Sequence, residues 1–571
     1  MQREDSVETV GEALLALLEA REVEYFFGNS GTDFPAIIEA FAKRQAGGKN
    51  RLKPITVPHE ITALAMAHGF AMLTGRPQAV MVHVIVGTAN ALGGIINASR
   101  AQVPVLILAG RTALTEQGDR ASRFMGIHWA QESFDQAAML REFVKWDYEL
   151  KMGSQLETVV DRALAIASDQ PSGPVYLTLP AEVLASPIGQ AEFSESTRQI
   201  PSGSFQPESA QLQKAAQVLA EARCPLAIAR SLGRDPRAVA PLIQLAEALS
   251  MPVVENWHCH LNFPQDHPLH LGYDPAPWLG EADVILVLDS DCPWFPHLSA
   301  PSPETTVIQV AHDPLFSDIP IRSFPTDIGL AGTPRLTLAA LNAALADCHL
   351  DGSLIASRGR RWRRESRRQR AIWEEKAHQA RTRVPISMAW VSRCLGEVID
   401  DETIVVNEYD LDPVQCCFTH PGSYFGHPPS ASLGWGLGAA LGAQLACPEK
   451  TVICCVGDGS YIFGVPVSAH QTASSCSLPV LFVVFNNGLW NASRRAALRY
   501  APDGWASRME RPPLCGLQTS FAYQEVCRAA GGYAEKVEDP EEVPAALKRA
   551  LRAVREEGRQ ALLNLICATG E

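Results

Sequence analysis

Short apolar runs bounded by polar or turn-forming residues recur along the chain, and between them apolar positions return at helical spacing. The runs at 24–27, 78–86, 103–109 and 174–179 predict buried parallel strands, because successive rather than alternate positions are apolar. Helical patterns separate them, so residues 8 to about 188 read as one α/β unit whose last strand stops at Pro180. A polar stretch at 189–209 leads into a second α/β unit, with candidate strands at 225–229, 252–255, 284–288 and 306–310, that ends near Leu350. A third unit from about Pro385 carries strands at 451–456 and 478–485 and repeats the rhythm of the first. The expected boundaries are 1–188, 189–355, a connector at 356–384, and 385–571.

Composition narrows the function classes. With 571 residues, 46% hydrophobic and 20% charged, the chain can build several cores. A net charge of -14 argues against nucleic acid as a partner, since phosphate binding normally shows as a basic surplus. Residues 358–370 run against that charge with eight arginines, and they read as a solvated connector helix balancing an acidic protein. The start is charged rather than leader-like and no run of eighteen apolar residues occurs, so the expectation is a cytoplasmic protein without a membrane partner. Fourteen scattered cysteines with no CxxC spacing suggest reduced thiols. Trp257-His-Cys-His260, with His267 and His270, invites a zinc reading, but it lacks a matched second pair and reads as loop chemistry.

The chemistry concentrates in two places. Gly457-Asp458-Gly459-Ser460 and Asn486-Asn487-Gly488 each close an apolar run, and the residues between them suffice for a crossover helix. Two polar loops are therefore expected at the carboxyl ends of neighbouring strands, where a carboxylate, an amide and a loop carbonyl can offer hard oxygen ligands to Mg²⁺ beside a diphosphate. Far upstream, Val57-Pro-His-Glu60 opens an apolar helix, followed by the run at 78–86 and a predicted loop Gly87-Thr-Ala-Asn90.

Taken together with Phe263-Pro-Gln-Asp-His-Pro-Leu-His-Leu-Gly272 in between, these blocks occur in the order found in the thiamine diphosphate enzymes of the 2-oxo acid decarboxylase and acetolactate synthase superfamily, which the chain resembles over nearly its whole length. The resemblance implies two similar thiamine-binding parallel-sheet domains flanking a Rossmann-like middle domain. It makes Glu60 the acid that holds the cofactor's N1′ protonated, and gives Leu433 the place of the wedge under the bent cofactor, with the Ala431 carbonyl facing its amino group. Asp458, Asn487 and the Leu489 carbonyl match the metal ligands, and Gly459, Ser460 and Tyr461 lie near the diphosphate in the same comparison. One departure is the acidic stretch Asn407-Glu-Tyr-Asp-Leu-Asp412, where the benzoylformate decarboxylase branch has hydroxyl side chains for the diphosphate.

For the substrate side, Gly28-Asn-Ser-Gly-Thr32 resembles the benzoylformate decarboxylase loop that carries a catalytic hydroxyl, and His83 resembles that branch's first active-site histidine. His297 falls near the place of the second, one residue out of register. His59 before Glu60 instead resembles acetolactate synthase, so the pattern is mixed. The leading expectation is nonoxidative decarboxylation of a 2-oxo acid with thiamine diphosphate and Mg²⁺. Carboligation is the first alternative, and a noncatalytic cofactor-binding or assembly protein on the same fold is the second. FAD, which acetolactate synthases hold structurally, is left open. A nicotinamide oxidoreductase is disfavoured because no GxGxxG follows the first strand. The resemblance also implies that Glu60 meets the metal site of a neighbouring copy, which requires a dimer and allows a tetramer.

Overall fold

The computed structural model describes residues 8–48, 51–189, 193–194, 196–517 and 520–569; the charged start and part of the 189–209 stretch lie outside the described residues. Two compact units divide the chain: Met1–Ser202 with His427–Lys536 and Arg549–Asn564, and Gly203–Gly426 with Val537–Lys548 and Leu565–Glu571.

The first unit begins with strands β1 (Tyr25–Gly28), β2 (Lys53–Thr56), β3 (Ala79–Val82), β4 (Leu106–Arg111), β5 (Asp147–Glu149) and β6 (Val175–Pro180). They form a parallel sheet in the order β2-β1-β3-β4-β6-β5. Its central strands are buried on both faces, as their unbroken apolar sequences require. The second unit holds β7 (Pro225–Ala229), β8 (Val253–Glu255), β9 (Val284–Leu288), β10 (Thr306–Ala311) and β11 (Ile328–Ala331), parallel in the order β11-β10-β9-β7-β8. There too β12 (Thr403–Glu408) pairs in parallel with β13 (Tyr424–Gly426). Back in the first unit, β14 (Thr451–Gly457) runs parallel to β15 (Val480–Asn486), with β16 (Tyr533–Val537) and β17 (Ala561–Ile566) completing the order β14-β15-β17-β16. The expected class, three parallel-sheet α/β domains, is what the chain adopts.

Two helices define the interior of the first unit. Glu60–Thr74 is buried from Glu60 to Ala71, and His59 caps it by accepting from the Ile61 amide. It packs on Trp435–Ala446, which is buried almost throughout. Their main chains nearly touch: a Cβ at Gly69 would lie 2.0 Å from the Ala439 carbonyl oxygen, and one at Gly442 2.0 Å from that of Met66. No side chain fits at either position, so glycine is what permits this close crossing.

Three expectations are corrected. The run 78–86 is not one strand, and Gly87-Thr-Ala-Asn90 is not a loop: β3 stops at Val82, and a helix spans Val84–Arg100. An apolar run that short cannot distinguish strand from helix by periodicity, and the turn is made locally, with the Gly87 amide donating to the His83 carbonyl and the Thr88 hydroxyl to that of Val84. Asp458 likewise opens a short helix, Asp458–Phe463, rather than a loop. The arginine-rich stretch does lie on a helix, Gly352–Gln379, but one stripe of it is buried, with Arg358 donating to the Ala222 and Leu249 carbonyls beside Trp362 and Ser366.

Candidate active site

At the carboxyl ends of β1 and β3, polar side chains pair with one another. Glu60, 3% exposed, accepts from the side-chain amides of Asn29 at 2.9 Å and Asn90 at 3.3 Å. Asn29 follows β1, and the helical course of 84–100 brings the exposed Asn90 within reach of Glu60. His83 directly follows β3, and its Nδ1 lies 2.5 Å from Asp33 Oδ1. The other carboxylate oxygen of Asp33 accepts from the Val84 amide at 3.2 Å, which fixes the Asp33 rotamer. The hydrogen bond to Asp33 holds the His83 imidazole above its ordinary value, with burial opposing. A Cβ at Gly31 would lie 2.2 Å from His83 Nδ1, so glycine there is required for the ring to reach Asp33.

The chain after β4 adds two residues that carried no recognisable signal in sequence. On the helix Ile127–Ala130, His128 places Nε2 3.1 Å from the Thr32 hydroxyl, and Gln131, just past the helix, places its amide nitrogen 3.2 Å from His83 Nε2. Burial first, then the charges of Arg123 and His83, push His128 below the ordinary histidine value, and Asp33 opposes. Thr32, Asp33, Val84, Arg111 and His128 are among the residues that line a cavity of about 480 Å³. The segment is pinned by Glu132, which accepts from Arg111, Arg123 and Thr112.

At the end of β14 and β15 the side chains serve the backbone instead. Asp458, 1% exposed, accepts from the Gly459 amide at 3.1 Å and the Gly488 amide at 2.9 Å, which joins the two predicted motifs directly. Asn487 accepts from the Leu489 amide at 2.9 Å, and the Leu489 loop is braced by the Trp490 amide donating to the Cys515 carbonyl. Ser460 is buried beside them, whereas the Tyr461 side chain turns into the core, its hydroxyl 2.8 Å from His470 Nε2. Among the described residues the Asn491 amide, just past this loop, is buried with neither polar atom partnered. A buried carboxylate, an amide oxygen and unpartnered amide groups form a donor set that suits a hard cation beside a diphosphate. Among the described residues no cluster of three His, Cys, Asp or Glu side chains could hold a metal, the 257–270 stretch included.

Ala431 and Leu433 precede the helix Trp435–Ala446. Ala431 takes φ 51°, a left-handed conformation that is uncommon for a residue with a Cβ. The segment is held by Asn97, whose amide donates to the Ser432 carbonyl at 2.8 Å while its oxygen accepts from the Ser432 amide and the Ser430 hydroxyl. Leu433 is half-buried. His297 belongs to the second unit, where it is exposed on the chain that follows β9, and Glu408 is buried there at the end of β12.

Comparison with known proteins identifies the family. The family models of the thiamine pyrophosphate enzymes match in order: the N-terminal TPP binding domain at 8–139, the central domain at 212–341 and the C-terminal TPP binding domain at 413–565. The chain belongs to the thiamine pyrophosphate enzymes. This thiamine pyrophosphate enzyme is 28% identical to a benzoylformate decarboxylase of Pseudomonas aeruginosa, over 96% of its own length and 98% of the relative's. It is 26% identical to a probable acetolactate synthase of Mycobacterium bovis, over 97% and 95%. A solved thiamine diphosphate-dependent 4-hydroxybenzoylformate decarboxylase of Rhodococcus jostii RHA1 superposes with a TM-score of 0.77 at 22% identity, covering 99% of this chain and 100% of that one, which shows the shared fold. Among the described residues no helix is long and apolar enough to cross a membrane.

Proposed function

We propose that this thiamine pyrophosphate enzyme catalyses the nonoxidative decarboxylation of a 2-oxo acid, with Mg²⁺ anchoring the cofactor diphosphate. The observation that carries the reading is the set of proton-handling side chains at the end of the N-terminal sheet: Glu60 between two amides, His83 on Asp33, and Thr32 on His128. Thiamine diphosphate, when bound, supplies the nucleophilic carbon and the electron sink that let carbon dioxide leave a 2-oxo acid. Glu60 would hold a proton on the cofactor's pyrimidine ring, the role the family resemblance assigns to it. Asp458, Asn487 and the Leu489 carbonyl would hold the metal, and Gly459 and Ser460 would line the diphosphate. Ala431 and Leu433 would set the bend of the cofactor. His83 would move protons at its Nε2, because Asp33 holds Nδ1 as a donor. Self-association, with Glu60 serving a second copy, belongs to the same reading.

Incubating the protein with thiamine diphosphate, Mg²⁺ and a panel of 2-oxo acids, with CO₂ and products followed together, tests it. Aldehyde and CO₂ in nearly equal amounts are expected. A coupled hydroxyketone dominating under acceptor-poor conditions would replace decarboxylation with carboligation.

A further inference from the structure

His128 sits where its protonation state and tautomer can be read from its partners. Its Nδ1 receives the Phe124 backbone N–H at 3.4 Å, a group that can only donate. That nitrogen must therefore present a lone pair, and a neutral ring must carry its proton on Nε2. The surroundings keep the ring neutral: it is buried, the edge of one ring meets the face of the other in the Phe124 pair at a centroid distance of 4.7 Å, and the positive charge of Arg123, joined by that of His83 whenever that ring is protonated, outweighs the carboxylate of Asp33. With the proton on Nε2, the contact of 3.1 Å to Thr32 has one direction, from imidazole to hydroxyl oxygen. The Thr32 hydroxyl accepts that bond and keeps its own hydrogen to give elsewhere.

His83, bonded to Asp33, is polarised the opposite way. In its neutral form Nδ1 donates to the Asp33 carboxylate, which leaves Nε2 to accept, and the Gln131 amide nitrogen approaches that nitrogen. Two neighbouring histidines pushed in opposite directions are the arrangement by which proteins separate a donor from an acceptor.

We infer that His128 is a positioning residue which, as the neutral Nε2–H tautomer, fixes the Thr32 hydroxyl as a hydrogen-bond donor toward an oxygen of the bound 2-oxo acid. The inference rests on the reading of Thr32 as a substrate-facing hydroxyl. It departs from that reading in making the direction of the Thr32 proton depend on a second residue, which acts through Thr32. Glutamine can reproduce the Nε2–H donor, whereas leucine removes it and asparagine is too short to reach Thr32.

The test compares Thr32→Val, His128→Leu, His128→Gln, His128→Asn and the double variant Thr32→Val/His128→Leu. Readouts are kcat/KM on benzoylformate and on the best 2-oxo acid of the panel, and the calorimetric Kd for mandelate, a 2-hydroxy acid with no keto carbon to attack. Thr32→Val and His128→Leu should each lower kcat/KM by about 10- to 100-fold and weaken mandelate by several-fold. The double variant should fall no further than the worse single one, because the two residues act as one unit. His128→Gln should recover most of the loss and His128→Asn little. A full loss in Thr32→Val with wild-type behaviour in His128→Leu overturns the inference and leaves the Thr32 reading standing. Equal losses in the Gln and Leu variants, additive with Thr32→Val, assign His128 to packing and also overturn it. No effect of Thr32→Val removes the Thr32 reading and the inference with it. If His128→Leu does not fold, the Gln against Asn contrast decides alone.

Discussion

The two halves of the first unit end their sheets in the same way and use their polar side chains differently. Beyond β1 and β3, side chains bond to side chains: Glu60 to Asn29 and Asn90, Asp33 to His83, His128 to Thr32. Beyond β14 and β15, they bond to main chain: Asp458 to the Gly459 and Gly488 amides, Asn487 to the Leu489 amide. A side-chain network is free to share and shift protons, while a carboxylate spent on backbone amides is held in one place. The first arrangement suits chemistry and the second suits holding a ligand, although both grow from the same strand-to-helix geometry.

The sharpest way to break this contrast is Glu60→Gln, which keeps the size of the side chain and removes the acid. Cofactor should still bind, while hydrogen–deuterium exchange at its C2 should slow by about a hundredfold or more, read by NMR. Unchanged exchange would take proton handling away from the N-terminal half. Asp458→Ala should do the reverse. Calorimetry is expected to give Mg²⁺-dependent cofactor binding weaker by about 10- to 100-fold, with the melting temperature of the unliganded protein little changed, because Asp458 is the one formal charge in the donor set. Wild-type affinity would end the holding role.

Asp33→Asn tests whether the side-chain network sets protonation rather than shape. Loss of the carboxylate should lower turnover by about tenfold and move the pH–rate limb that belongs to His83 to lower pH, since Asp33 is what raises that group. A profile that keeps its position would make Asp33 a structural residue.

The smallest expected effect separates these working histidines from two that only fill space. Burial pushes His68, against the Trp435 ring, down to about 3, and His470, between Tyr461 and Gln560, down to about 4. In the unfolded chain both take a proton near pH 6.5 and in the folded chain they do not. Stability is therefore full above about pH 6.5 and falls as pH drops toward the folded values, by about 1 kcal/mol per histidine at pH 5.8. Urea titrations at pH 7.5 and 5.8 measure it, and His68→Phe or His470→Phe should each shrink the difference. A midpoint independent of pH would show that neither ring is held neutral.

Much of this was readable in the residues themselves. Strands 225–229 and 284–288 have the limits observed, because turn-forming residues bound them and both faces are buried. The Gly457-Asp458-Gly459 and Asn487-Gly488 motifs announced two polar segments at one sheet end, the first of which opens a helix, and the Asp458 to Gly488 bond joins them. What stayed hidden was whatever depends on contacts distant in sequence. His128 and Gln131 lie 96 and 48 positions along the chain from the residues they meet: they reach Thr32 and His83 only because the chain folds back after β4. Asn97 was equally silent, since its three bonds go to residues more than three hundred positions away. The helical course of Val84–Arg100 was missed because an apolar run lacks the alternation that separates the two periods.

The seam at Gly69 and Gly442 bears on tolerance. Glu60 begins the helix and Gly69 stands nine positions further on, roughly 13 Å along a rod that neither stretches nor bends appreciably over that length. With main chain against main chain at the seam, an added methyl group would have to push the rod by about an ångström or more, and the carboxyl at its tip would travel with it. A shift of that size opens a 2.9 Å bond to Asn29. The glycines therefore act as a gauge block, setting the reach of an acid with which they share no contact, and the dimensional error the reaction can bear is fixed at a place where no chemistry occurs.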